Sequence, residues 1–286
     1  MQGEDKQARQ KRLLVVMDIS GVGRCSALVV VPVLSLSGSS VAFLPTAYFS
    51  AHTGGFGAVH RRDMSHDMEE ALKHYRALGL RFDAVYVGYC ANPKQLRLLE
   101  DALPHILMDG GKLYVDPVMG DHGRRYTFCG EELLQGFARL CKHADLIFPN
   151  RTEAALLLGL PLEAGVEPPV PACDQLLGLG AKNVIVTGVD EGSERIGVLA
   201  LTGDGRAFTC FRKRYEGSYP GTGDLLASSV IAALTRGASL ETACGLACDF
   251  LDEALQQTKV YDAPPRFGLA FETALPGLTR NLASIF

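Results

Sequence analysis

Along the chain, short apolar runs alternate with longer stretches of helical period. Leu13–Asp18, Val41–Pro45, Ala84–Gly88, Lys112–Asp116, Leu146–Pro149 and Val184–Thr187 are rich in Val, Ile, Leu, Phe and Tyr. Most end in Asp, Gly, Pro or Thr, which predicts strands. Ser26–Ser37, Asp63–Leu78, Pro93–Leu107, Glu131–Cys141 and Thr152–Leu160 lie between them and read as helices. Continuous apolar strands separated by helices imply an α/β fold with a parallel sheet covered on both faces. After Thr187 the pattern changes. Gly197–Thr202 and Arg206–Arg212, separated by Gly203-Asp204-Gly205, predict an antiparallel hairpin, and helices are expected over Gly223–Arg236 and Ser239–Gln257. No internal repeat is visible, and the most loop-like tract, Gly165–Pro171, is too short for a linker. Residues 13–286 therefore read as a single domain behind a polar tail, 1–12.

Composition narrows the class. A chain of 286 residues buries roughly three quarters of its unfolded surface, so it needs no metal or disulfide staple. Hydrophobic residues make up 47% and charged residues 21%, which excludes a disordered or fibrous chain. The formal charge of −4 gives no general attraction to nucleic acid, and the Arg212-Lys213-Arg214 cluster is too short to change that. Ala27–Leu44 carries no charge, but Pro32, Gly38 and several serines within it favour helix, turn and strand over a membrane span. The polar start and the short apolar run after it, Leu13–Met17, do not make a signal peptide. The eight cysteines form no C-x-x-C and no zinc-like Cys/His pairing, so free thiols in a reducing cytoplasm are expected.

Sheets of this kind bind ligands beyond the carboxyl ends of their strands, and the informative residues lie there. Gly221-Thr222-Gly223-Asp224 opens directly into an apolar helix. Its amides and the helix dipole can face an anion, with Asp224 beside it as general base for a hydroxyl. The same residues also suit a capped glycine turn. Asn150 and Glu153, three apart at a helix start, can organise a hydrated Mg²⁺ or form a capping box without ligand. Asp116 and Asp121, in Asp116-Pro117-Val118-Met119-Gly120-Asp121, can help bind a metal–phosphate or simply make a turn. Phe49–Phe56, with His52 and Thr53, suits a ring binder or a surface loop. Asp18-Ile19-Ser20 and Gly88-Tyr89 end two further strands at the same mouth.

In order and spacing, D-P-V-M-G-D, P-N-x-T-E and G-T-G-D resemble the ribokinase-like superfamily, and F-S-x-H-T-G at Phe49–Gly54 is similar to the pyridoxal kinase family. The resemblance runs from about Leu13 to Gln257. It implies a three-layer α/β/α sandwich with a mostly parallel sheet. It also implies transfer of the ATP γ-phosphate to the 5′-hydroxymethyl group of pyridoxal, pyridoxine or pyridoxamine, with Mg²⁺, K⁺ as a further candidate, and a homodimer. Carried over by position, Asp224 is the base, and Gly221, Thr222 and Gly223 form the anion hole. Asp116, Asn150 and Glu153 shape the Mg²⁺–phosphate site with Asp121 nearby. Thr187, followed by Gly188, lies at the ATP phosphate, and His52, Thr53 and Tyr89 surround the pyridine ring. Three positions depart from the family pattern: Asp18 stands where many members have a ring-contacting Ser, with Ser20 nearby as a substitute; Ala51 replaces an Asn and Phe148 a Thr. These changes bear on vitamer choice.

Four other readings compete with this one. Hydroxymethylpyrimidine kinases of thiamine synthesis typically carry G-T-G-C and lack F-S-x-H-T-G. Sugar kinases have a G-G near the first strand that is missing here. A catalytically silent vitamer or nucleotide binder is disfavoured by intact Asp224, Asn150 and Glu153. A dehydrogenase is disfavoured because Gly21-Val22-Gly23-Arg24-Cys25-Ser26 lacks the third glycine of its fingerprint. Tyr215–Pro220 is expected to act as a flap, and Ala263–Phe286 has no assigned role.

Overall fold

Alternation along the first strand sets the layers. In β1 (Arg12–Ser20), Leu13, Val15 and Met17 enter one hydrophobic cluster, whereas Leu14 and Val16 enter another on the opposite face. The computed structural model describes residues 9–285. Its central sheet has nine strands. β2 (Ser40–Phe49), β4 (Phe82–Val87), β5 (Leu107–Val115), β8 (Leu146–Ile147) and β9 (Val184–Glu191) run parallel to β1. β3 (Arg61–Asp63) closes one edge antiparallel to β2, and the hairpin β10 (Arg195–Leu201) and β11 (Ala207–Lys213) closes the other. β6 (Gly120–Asp121) and β7 (Arg124–Arg125) form a separate small ribbon. The strand order β11-β10-β9-β8-β5-β4-β1-β2-β3 reverses direction of growth between β1 and β4, so the crevice for ligands opens beyond their carboxyl ends.

Helices cover both faces. α1 (Ala27–Ser35), α7 (Thr222–Arg236), α8 (Leu240–Val260) and α9 (Leu275–Ala283) pack on one side. α2 (Ser65–Ala77), α3 (Pro93–Ile106), α4 (Glu131–Lys142), α5 (Arg151–Leu157) and α6 (Cys173–Leu177) lie on the other. Local chemistry fixes several starts. Asn92 accepts the Gln95 N–H ahead of Pro93 in α3, and Ser239 accepts the Thr242 N–H in α8. The uncharged stretch Ala27–Leu44 becomes α1, a turn and the start of β2, and no helix among the described residues is long and apolar enough to cross a membrane.

The strand and helix expectations hold with shifted ends, most visibly at β2, which runs on to Phe49, and β5, which starts at Leu107. Of the expected tail, residues 1–8 lie outside the described residues. Arg9 pairs with Asp83 at 2.5 Å, and Arg12 already belongs to β1. The C-terminal stretch, without assigned role from sequence, folds back as two 3₁₀ turns and α9.

Candidate active site

Several chain segments meet at the carboxyl edge of the sheet, most of them placed by a strand end or a helix start. β1 delivers Asp18 and Ser20, both buried, with the Ser20 hydroxyl donating to Asp18 Oδ2 at 3.2 Å. Asp116 follows β5 directly, and its Oδ2 accepts the Tyr86 hydroxyl at 3.4 Å. α7 begins at the glycine turn. Gly221 has φ +80°, and an added Cβ would lie 2.0 Å from the Arg24 carbonyl oxygen, so only glycine fits. The first amides of α7 have no partner within the helix, and its dipole makes this end electropositive. Gly223 faces open space.

Asp224 is held from the side. The Ser26 N–H donates to Asp224 Oδ2 at 2.8 Å. Ser26 adopts φ +50°, rare for a residue with a side chain, which is what turns its amide toward the carboxylate rather than into α1. Burial, and then the charge of Asp18, pushes the Asp224 pKa up to about 6. Burial also raises Asp18, against the lowering influence of the Ser26 and Ser20 hydroxyls. Burial and the Asp224 charge raise Asp116, and burial followed by Asp116 raises Glu153. Among the described residues, none of these four carboxylates forms an ion pair. A row of carboxylates without a cation calls for one from outside the chain, or for protons.

Asn150 and Glu153 form the capping box. Asn150 Oδ1 accepts the Glu153 N–H and Glu153 Oε2 accepts the Asn150 N–H, each at 2.9 Å. Glu153 Oε1 takes the Met119 N–H at 3.0 Å, and Asn150 Nδ2 donates to the Gly120 carbonyl at 2.9 Å. Glu153 is therefore a buried brace that ties the loop after β5 to α5, with one amide on each oxygen. Asp121 leans outward, where His122 stands between it and Glu167. Thr187 sits beside this corner, its N–H bonded to the Pro149 carbonyl at 3.0 Å, and Gly188 follows it at an exposed, positive-φ bulge within β9.

On the other flank His52 is buried and both its ring nitrogens are engaged. Nδ1 accepts the Gly54 N–H at 2.9 Å and Nε2 lies 2.7 Å from the Arg266 carbonyl, which makes Nε2 the protonated nitrogen. In this arrangement His52 shapes the loop and offers no free nitrogen to a ring. Its ring packs edge-on to Phe56, which in turn meets Phe267. Thr53 is exposed at the lip, and the Tyr89 ring packs edge-on to Phe49 and Phe128. Three participants carried no signal in the sequence: Ser26, because a strained backbone leaves no compositional trace; Arg24, whose N–H donates to the Phe267 carbonyl at 2.9 Å and whose side chain pairs with Glu272 at 2.6 Å; and the segment around Arg266 itself.

Comparisons with known proteins agree with this geometry. Residues 37–263 match the family described as phosphomethylpyrimidine kinase. A pyridoxal kinase of Pasteurella multocida is 32% identical over 220 residues, 72% of this chain and 74% of the relative. The crystal structure of pyridoxal kinase from Lactobacillus plantarum superposes with a TM-score of 0.87 at 31% identity, over 94% of this chain and 97% of that one. A Bacteroides thetaiotaomicron protein, provisionally named a phosphomethylpyrimidine kinase and crystallised with pyridoxal, gives a TM-score of 0.86 at 30% identity over 97% of both chains.

Proposed function

Because the chain belongs to the pyridoxal kinase family, we propose that it phosphorylates B6 vitamers, moving the ATP γ-phosphate to the 5′-hydroxymethyl oxygen of pyridoxal, pyridoxine or pyridoxamine. The observation that carries this reading is Asp224 at the mouth of the Gly221 turn. A carboxylate held by the Ser26 N–H at 2.8 Å lies beside a helix start whose amides are free to meet an anion. Asp224 accepts the hydroxyl proton as the oxygen attacks phosphorus, while the amides of Thr222 and Gly223 receive the charge that develops on the phosphoryl oxygens. Asp18 and Ser20 lie on the substrate side of that base, at the end of the neighbouring β1.

Mg²⁺ and nucleotide fit the donor set. Asp116 keeps carboxylate lone pairs free, and the row of unpaired acids favours a divalent cation, which would supply neutralisation of the phosphate oxygens when bound. Glu153 braces the site through one amide on each oxygen, and each oxygen keeps a second lone pair for a cation or its water. Thr187 and Gly188 border the position where nucleotide phosphate would approach. K⁺ as a further cation, a homodimer and a cytoplasmic setting follow from the family resemblance; the eight cysteines, all free, suit a reducing compartment.

A thiamine-pathway pyrimidine kinase shares this fold, and the matching family carries that description. Asp224 in G-T-G-D and the His52 loop favour the vitamer kinase. The test is ADP release with Mg²⁺-ATP and a panel of pyridoxal, pyridoxine, pyridoxamine, hydroxymethylpyrimidine and ribose. Turnover on a B6 vitamer that falls at least about a hundredfold in Asp224→Asn supports the proposal. Turnover on the pyrimidine alone overturns its substrate assignment.

A further inference from the structure

Away from the carboxyl edge, the interface between β11 and α8 holds a cluster of sulfur atoms that phosphoryl transfer does not use. Cys210 faces inward from β11, while Cys244 and Cys248 lie one turn apart on α8 in the same hydrophobic layer. The Cys248 thiol reaches toward Cys210, with its Sγ 3.7 Å from the Cys210 carbonyl oxygen. Arg212 Nη1 donates to Cys210 Sγ at 3.4 Å, and Arg212 is held in turn by Asp249, its Nη2 lying 2.6 Å from Asp249 Oδ1. A cationic donor on one side and a second thiol on the other are the surroundings that stabilise a thiolate. Cys210 is half-buried rather than sealed, unlike Cys244 and Cys248.

We propose that Cys210 is a peroxide-reactive thiolate and that Cys248 resolves its oxidised form as a Cys210–Cys248 disulfide joining β11 to α8. The chemistry balances with a hydroperoxide as oxidant. The Cys210 sulfur attacks the peroxide O–O bond; the S–O bond forms, the O–O bond breaks, and the departing oxygen takes a proton to leave as water or alcohol. Cys248 then loses its proton and attacks the sulfenic sulfur; the S–S bond forms, and the hydroxyl leaves with that proton as water. Two thiols are oxidised by two electrons and one peroxide is reduced. The adjacent Cys248 thiol, then the Arg212 charge, hold the Cys210 thiol below its ordinary pKa against burial. The resulting link would close the segment that contains Tyr215–Pro220 and the Gly221 turn.

The test uses the reduced full-length chain. At pH 7, limiting iodoacetamide is expected to label Cys210 before Cys173, the exposed cysteine. Arg212→Ala is expected to slow that labelling about tenfold, the loss of one charge-assisted hydrogen bond. One equivalent of hydrogen peroxide followed by non-reducing peptide mass spectrometry is expected to give a Cys210–Cys248 linked peptide. Cys248→Ser is expected to stop at a Cys210 sulfenic acid that dimedone traps. Labelling of Cys173 first, a Cys210–Cys244 link, or no linked peptide from the unmodified chain would each overturn the proposal. The wild-type measurements stand even if a variant folds poorly.

Discussion

Replacing Asp224 with Asn should make the ligand-free protein more stable while removing its activity. The carboxylate pKa stands at about 6 rather than 3.8, chiefly because burial disfavours its charge. At about 1.36 kcal/mol per pKa unit, the ionised form carries a penalty of up to about 3 kcal/mol at neutral pH. Asn keeps an oxygen to accept the Ser26 N–H at 2.8 Å and has no charge to desolvate. The sign follows from linkage: an acid with a raised folded pKa loses stability as pH rises from its unfolded value through its folded one. The advantage of Asn should therefore be absent below about pH 4, grow between pH 4 and 6, and stay constant above. The expected gain at pH 7.5 is about 1–3 kcal/mol, or about 2–6 °C in Tm for a chain of this length. Urea unfolding of both proteins at pH 5.0 and 7.5, without nucleotide or Mg²⁺, reads it directly. If Asn is no more stable at pH 7.5, or if its advantage is the same at both pH values, the carboxylate is not held charged at a penalty and the reasoning fails.

Other expectations come from single contacts. kcat/KM should rise with pH through about 6, because only ionised Asp224 can accept a proton; a rate flat from pH 5 to 8 would point to a different base. Glu153→Gln, which places an amide NH₂ against one of the two backbone N–H groups now bonded to it, should cost about 1–3 kcal/mol in urea unfolding, and an unchanged midpoint would remove Glu153 from the brace. Gly221→Ala should lower turnover by at least about a hundredfold while circular dichroism stays native, since its Cβ would strike the Arg24 carbonyl at 2.0 Å. His52→Ala frees the Gly54 N–H and the Arg266 carbonyl and should raise the vitamer KM more than it lowers kcat.

The layers were readable because burial on both faces leaves a plain signature in the strands. β1 and β4 are apolar nearly throughout, as is β9 over Val184–Val186, and their helices repeat at a different period. The ends were less readable. β2 continues through Pro45, which the sequence marks as a strand end, to Phe49, and β5 starts at Leu107 and runs through the polar Asp109-Gly110-Gly111 tract that periodicity reads as loop. Ala263–Phe286 carried no motif because its part is positional. The Phe267 carbonyl accepts Arg24 N–H and the Arg266 carbonyl meets His52, so a backbone path, not a side-chain pattern, closes that flank.

The site shows why the capping and ligand readings of one motif could not be separated by residue type. An Asn followed three residues later by Glu satisfies a helix start and also brings polar groups to a strand end; here the cap is real, and through Met119 and Gly120 it also fixes the loop that carries Asp116 and Asp121. The cap thus serves the site by placing its neighbours. The same holds for Gly221 and Ser26. One has a left-handed backbone because Arg24 lies against it, the other because its amide must reach Asp224. Only Ser26 carries strain, since glycine adopts φ +80° freely, and the Ser26 N–H is the group that meets the carboxylate. Strain of this kind costs about 1–3 kcal/mol at each non-glycine position and persists only where surrounding structure over-determines it. Ser26 is such a position, and the contact it makes is to the group proposed as base. The geometry around Asp224 is thus better explained by a requirement on that carboxylate than by the needs of α1 or α7, either of which could start without it.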